Sequence, residues 1–244
     1  MKTRLASAIG PESAARLYRD WIGQVLHQVQ PLRPRVRVVA LYDGAPLDAF
    51  APWRALAEQW HPQVAGDLGT RLMAAFETLQ HPTEHRHHWA SPTHAKDPAE
   101  RVPLAPSSSA LPSSLPPRTE VPLTPAAAVP SDLQHRPVCV IGTDCLEIDA
   151  PLLERAFDLL QSHDVVVGPT TDGGYYLIGS ATFRPLLFRH IRWSSPWTLT
   201  DQLQQCQRLG CSVAFLPLRS DIDTLDDWHA YCQRTTCCKP LSSS

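Results

Sequence analysis

Three short stretches place carboxylates where a sheet could bring them together: Gly142-Thr143-Asp144, Thr171-Asp172-Gly173-Gly174 and Ser220-Asp221-Ile222-Asp223-Thr224. Each follows an apolar run that reads as a strand. Acids gathered at one sheet edge form an oxygen donor set for a hard divalent cation, Mg²⁺ or Mn²⁺, which shares its shell with substrate phosphates. Each stretch also has an ordinary local use. Asp223 and Thr224 stand before a helix starting near Leu225, where Asp or Thr commonly caps. Gly173 and Gly174 let backbone approach a ligand, and equally describe a turn. Asp144 has no such duty if Asp149 caps the helix that follows it. Cations come from the amino end, where Lys2 and Arg4 precede a helix and Lys2 is the kind of point charge that phosphate sites use. Arg71, just past the Gly66–Gly69 turn, reads in isolation as a solvated helix residue.

The elements that must position these residues alternate. Glu12–Val29 repeats apolar residues at three- and four-residue steps, with Pro11 in the first turn, and predicts an amphipathic helix. Val36–Leu41 predicts a strand, Asp48–Gln59 a helix and Thr70–Leu79 another. Val138–Ile141 is wholly apolar, as a strand in the buried middle of a parallel sheet would be. A helix from Pro151 to Gln161 follows, then strands at Asp164–Val167 and Tyr175–Ile178, a helix at Leu199–Leu209, a strand at Cys211–Leu216 and a helix at Leu225–Arg234. The pattern predicts an α/β fold with a mainly parallel sheet, helices on both faces, and ligands at the carboxyl ends of the strands.

Composition narrows the classes. The 244 residues are 43% hydrophobic and 19% charged, with a net charge of −2. This balance gives no cationic excess for a nucleic-acid backbone. No apolar run approaches the roughly 20 residues of a membrane-spanning helix, and the basic start has no apolar stretch behind it. A cytoplasmic protein that binds neither membrane nor nucleic acid is expected; the oligomeric state is not legible. Eleven of the 24 prolines fall within residues 81–136, beside serine runs and six histidines. That stretch reads as a disordered insertion between residues 1–80 and 137–234, with a flexible tail at 235–244. The seven cysteines read as reduced thiols, and neither they nor the histidines stand at zinc-ligand spacing.

Lys2-Thr3-Arg4-Leu5-Ala6, Gly66-Asp67-Leu68-Gly69 with Arg71-Leu72, Ile141-Gly142-Thr143-Asp144-Cys145, Gly168-Pro169 with Thr171-Asp172-Gly173-Gly174-Tyr175-Tyr176-Leu177-Ile178-Gly179, Trp193-Ser194, and Asp221-Ile222-Asp223-Thr224 with Asp227 follow one another in the order of a known family. The chain resembles the bacterial glycosyltransferase-like family of GT-A fold, radical-SAM-associated and named for arsenosugar biosynthesis, which is related to the nucleotide-diphospho-sugar transferases. More distantly it is similar to the molybdenum cofactor and phospholactate guanylyltransferases. The resemblance implies a nucleotide-sugar donor, a small-molecule acceptor and a divalent cation, Mg²⁺ or Mn²⁺, held by Asp144 and Asp223, with Asp221 a further acid. It implies nucleotide binding by Lys2, Arg4, Asp67 and Arg71. Gly173 and Gly174 would face substrate, and Asp172 would act catalytically on an acceptor hydroxyl. Relative to the family pattern the chain starts inside the Lys-Thr-Arg-Leu motif, so a first strand and half a phosphate loop are expected to be missing, leaving a bare sheet edge. Leu146 stands where proline is usual. A metal-dependent glycosyltransferase is the leading expectation. A nucleotidyltransferase and a non-catalytic binding module are the alternatives.

Overall fold

The computed structural model describes residues 2–80 and 136–235. The elements run α1 (Thr3–Ile9), α2 (Pro11–Gln28), β1 (Val39–Tyr42), β2 (Gln59–Pro62), α3 (Leu68–Gln80), β3 (Val138–Ile141), α4 (Ala150–Leu159), β4 (Val165–Pro169), β5 (Tyr175–Ser180), α5 (Thr198–Arg208), β6 (Val213–Phe215) and α6 (Leu225–Arg234). β3, β5, β4 and β6 lie side by side in that order. β5 is antiparallel to both β3 and β4, while β4 and β6 are parallel. Three strands therefore run one way and β5 runs against them. β1 and β2 form a separate parallel pair.

The alternation of side chains along a strand builds two cores from one sheet. Val166 and Leu177 join a cluster with Leu152, Leu153 and Ala156 of α4. Val165, Val167 and Ile178 point the other way, toward Leu72 and Phe76 of α3 and Cys206 of α5. Helices thus cover both faces of an α/β sheet.

Several local expectations change. The helix expected over Asp48–Gln59 is a 3-10 run, Leu47–Leu56, with Pro52 inside and no buried residue. Proline cannot donate within a helix and its ring collides with the preceding turn. Gln59 opens β2 instead, a strand whose polar residues and closing proline hide its type. The first described residues form α1, seven residues long, and Gly10 at φ 83° turns the chain into α2. β3 is not the middle of a parallel sheet; it is a half-buried edge strand antiparallel to β5.

Residues 81–135 and the tail from residue 236, Cys237 and Cys238 included, lie outside the described residues. The described residues that flank the first stretch are tied together: the Gln80 side-chain amide donates to the Arg136 carbonyl at 2.7 Å and to the Ser180 carbonyl at 3.0 Å. Cys139, Cys145, Cys206 and Cys211 are free thiols, and burial pushes the Cys139 and Cys145 thiols up to about 12. No described helix is long and apolar enough to cross a membrane.

Candidate active site

Backbone hydrogen bonds stitch the three acid loops together. The Ile222 N–H donates to the Asp144 carbonyl at 3.0 Å, which pins the Asp221–Asp223 stretch against the exit of β3. The Arg219 N–H donates to the Pro169 carbonyl, and the Thr171 N–H to the Arg219 carbonyl, both at 3.1 Å. These two bonds extend the β4–β6 pairing and bring the Asp172 turn beside Ser220. Beneath the loops, Leu5, Leu146 and Ile222 are 0–2% exposed and share a cluster with Trp21, Val25 and Trp228. Each apolar anchor adjoins a charged residue in sequence: Leu5 follows Arg4, Leu146 is two past Asp144, and Ile222 separates Asp221 from Asp223. Burying such side chains stabilises by about 1.5–3 kcal/mol each, so their polar neighbours are carried on a fixed seat.

At the centre, the Lys2 ammonium donates to Asp144 Oδ2 at 2.8 Å and to Asp223 Oδ1. Neither acid is used up in capping. Asp149 caps α4 by accepting the Leu152 N–H at 2.9 Å. Thr224 and Asp227 form a capping box on α6, and Asp227 also accepts the Asp223 N–H at 3.1 Å. Burial alone would lower the Lys2 pKa. Charge and hydrogen bonding from Asp144 and then Asp223 outweigh it, and the ammonium is held above its usual range. Arg4 stands 4.0 Å from Asp223 Oδ2 with its side chain 75% exposed. Lys2, Thr3, Arg4 and Asp223 line a cavity of about 210 Å³.

Asp221 lies deeper. Its Oδ1 is buried and accepts no hydrogen bond from the described residues. Burial, then the charges of Asp144 and Asp172, push its carboxyl up to about 7. Two carboxylates converging on a stand-in cation, with an orphaned carboxyl oxygen behind them, are a donor set that a hard divalent cation fits. Among the described residues, no three His, Cys, Asp or Glu side chains are grouped at metal-holding spacing. The two acids at the front of the site, Asp144 and Asp223, are the residues that would hold such a cation.

Asp172 is exposed, and its Oδ1 accepts from the Thr170 hydroxyl at 2.6 Å and the Gly174 N–H at 3.0 Å. That oxygen shapes the turn, and Oδ2 makes no hydrogen bond to the described residues. Gly173 has a different reason from the expected one. At φ +88°, a Cβ there would fall 2.1 Å from the Pro196 carbonyl oxygen, so the close approach it permits is to Pro196. A Cβ on Gly174 would come within 3.1 Å of the Thr170 hydroxyl. Both glycines serve the turn.

Asp67 and Arg71 lie elsewhere. Asp67 Oδ1 accepts the Thr70 N–H at 2.8 Å and its hydroxyl at 2.7 Å, which caps α3 and holds the Asp67 carboxyl below its usual range. The Asp67-Leu68-Gly69-Thr70 spacing already carried that capping signal. Arg71 pairs with Asp43 at 2.9 Å and donates to Gln63 Oε1 at 2.8 Å. It therefore ties together the chain leaving β1 and the chain leaving β2. Asp43 and Gln63 carry no local signal, and sequence reasoning missed them. Among the described residues, no hydrogen bond or ion pair joins this group to the Lys2 cluster.

Comparison with known proteins follows the same lines. Residues 123–195 match a family model, DUF2064, described as an uncharacterized protein conserved in bacteria. No curated protein matches the chain. A solved structure from Desulfovibrio desulfuricans G20, of a candidate nucleotide-diphospho-sugar transferase, is 23% identical, with a TM-score of 0.67 over 100% of this chain and 85% of that one. The chain shares the fold of that protein.

Proposed function

We propose that the chain is a glycosyltransferase that takes a nucleotide-diphospho-sugar donor and a small-molecule acceptor with a divalent cation, Mg²⁺ or Mn²⁺. The observation that carries this reading is the convergence of Asp144 and Asp223 on one cationic point beside Arg4, on a fold shared with a candidate nucleotide-diphospho-sugar transferase. Asp144 and Asp223 would hold the cation, which supplies charge neutralisation on the departing nucleoside diphosphate. Arg4, exposed at the cavity mouth, binds diphosphate oxygens, and Lys2 adds a second positive charge there. Asp172 Oδ2, left over after the turn is made, orients an acceptor hydroxyl and takes its proton. Arg71 holds the strand exits that line the nucleotide side. The motif resemblance extends the proposal to transfer of the arsenosugar type.

The test combines thermal shift with product analysis. Nucleotide-sugars should raise the melting temperature only with Mg²⁺ or Mn²⁺, Asp144→Ala should abolish the rise, and turnover should release a nucleoside diphosphate. Release of pyrophosphate from a nucleoside triphosphate would assign nucleotidyl transfer instead. A cooperative melt that no ligand shifts would overturn the enzyme reading.

A further inference from the structure

We propose that Lys2 is an exchangeable counter-ion, whose ammonium bridges Asp144 and Asp223 in the cation-free protein and moves to a substrate phosphate when a divalent cation enters between those carboxylates. The inference rests on the cation-dependent reading above and adds a coupling between the two ligands.

The geometry argues for exchange rather than coexistence. One carboxylate oxygen from each acid points at the same ammonium. A cation held by both acids, with metal–oxygen contacts near 2 Å, needs the volume that ammonium fills. Two carboxylates brought to one point also repel unless a positive charge lies between them, and Lys2 supplies it. The backbone need not move for the exchange. Leu5, fully buried, anchors α1 three residues on, and the Lys2 side chain makes no capping bond to the helix it precedes. Only the flexible four-carbon stem has to swing.

The destination is on hand. Lys2, Thr3 and Arg4 line the cavity that Asp223 borders, so an ammonium leaving the acids stays beside the exposed Arg4 guanidinium. Two cations side by side repel, and an anionic phosphate between them removes that cost. Cation and phosphate should therefore each strengthen the other's binding, a reciprocal coupling.

The test uses the full chain, tagged at its carboxyl end, with Mn²⁺ alone as the probe. Mn²⁺ affinity is measured by titration calorimetry or by the free-Mn²⁺ paramagnetic signal for native protein, Lys2→Met and Lys2→Gln. Each variant is first confirmed to melt cooperatively. Both should bind Mn²⁺ about tenfold more tightly than native, the factor expected for removing ion pairs that compete with the metal. Displacement is read separately by acylating amines and mapping the products by mass spectrometry, which is tractable because the lysines are only Lys2, Lys96 and Lys239. Mn²⁺ should raise labelling of Lys2 relative to the other two. A Lys2 charge that merely sits nearby would tighten Mn²⁺ in the variants without changing Lys2 labelling in native protein, and that result overturns the exchange. Equal affinity in native and variant proteins also overturns it while leaving the cation site standing. If native, Lys2→Met and Asp144→Asn all fail to bind Mn²⁺, the cation reading falls and the exchange falls with it.

Discussion

Two regions of the molecule hold charged residues at strand exits, and they are built from different materials. The Lys2–Asp144–Asp223 group sits on Leu5, Leu146 and Ile222, all buried to 2% exposure or less. The Asp43–Arg71–Gln63 group ties Arg71 of α3, a helix with a buried face, to the exits of β1 and β2, in which no residue is fully buried and whose connecting 3-10 run buries nothing. Rings hold that second region: Phe50 lies 5.2 Å from Tyr42, 6.4 Å from Trp53 and 5.5 Å from Trp60. Half-exposed aromatic contacts and polar ties open at lower free energy than a sealed aliphatic cluster. The acid site is thus fixed where geometry matters for a small cation. The region at the β1 and β2 exits has more freedom to adjust.

The largest expected effect would break this comparison if it failed. Leu5→Ala should cost about 2–5 kcal/mol in chemical denaturation, because the cavity it leaves has nothing to fill it. Phe50→Ala should cost less, since the ring is already half in water. Equal losses, or slower amide exchange in β1 than in β4, would show that the two regions are equally firm.

Next in size is a pH effect confined to the acid site. Burial and the carboxylates around it raise the Asp221 carboxyl up to about 7 against an ordinary 3.8. In the cation-free protein the folded state therefore binds a proton that the unfolded state has lost between those values. Stability from this group is intact below about pH 4 and falls as pH rises toward 7. The ceiling is roughly 4 kcal/mol, about three units at 1.36 kcal/mol each. Melting native protein and Asp221→Asn at pH 4.5 and pH 7.5 checks the sign: the variant should gain on the native protein as pH rises. A constant difference would show that Asp221 is ionised throughout.

The smallest effect sharpens the contrast at two helix caps. Thr224→Ala should cost about 1 kcal/mol by breaking the capping box of α6. Asp67→Ala, at the exposed cap of α3, should lower the melting temperature by less and leave Mn²⁺ affinity unchanged. A loss of Mn²⁺ binding in Asp67→Ala would join the two regions into one site.

The same contrast explains what the sequence disclosed. α6 was legible to its ends, Leu225–Arg234, because Thr224 and Asp227 announce its start. β3 was legible because Val138–Ile141 is an unbroken apolar run. The direction of β5 and the edge position of β3 were not, since pairing partners far along the chain decide them. Around β1 and β2 the signals misled: Leu47–Leu56 has a helical composition that Pro52 defeats, and Gln59–Pro62 becomes a strand only through pairing with β1. At the site, Asp144 and Asp223 stood out as acids after apolar runs. That one lysine grips both is a tertiary fact, as is the pairing of Arg71 with Asp43.

The two hydrogen bonds from Gln80 have an engineering consequence. The chain leaves the described domain at residue 80 and re-enters it at Arg136 within reach of one amide, so the domain itself holds these two junction residues together. Loop-closure entropy grows only logarithmically with length. Replacing 81–135 with a short Gly-Ser bridge should therefore leave the melting temperature and Mn²⁺ affinity nearly unchanged, and the same junction is the natural port for splicing a fluorescent reporter into the chain.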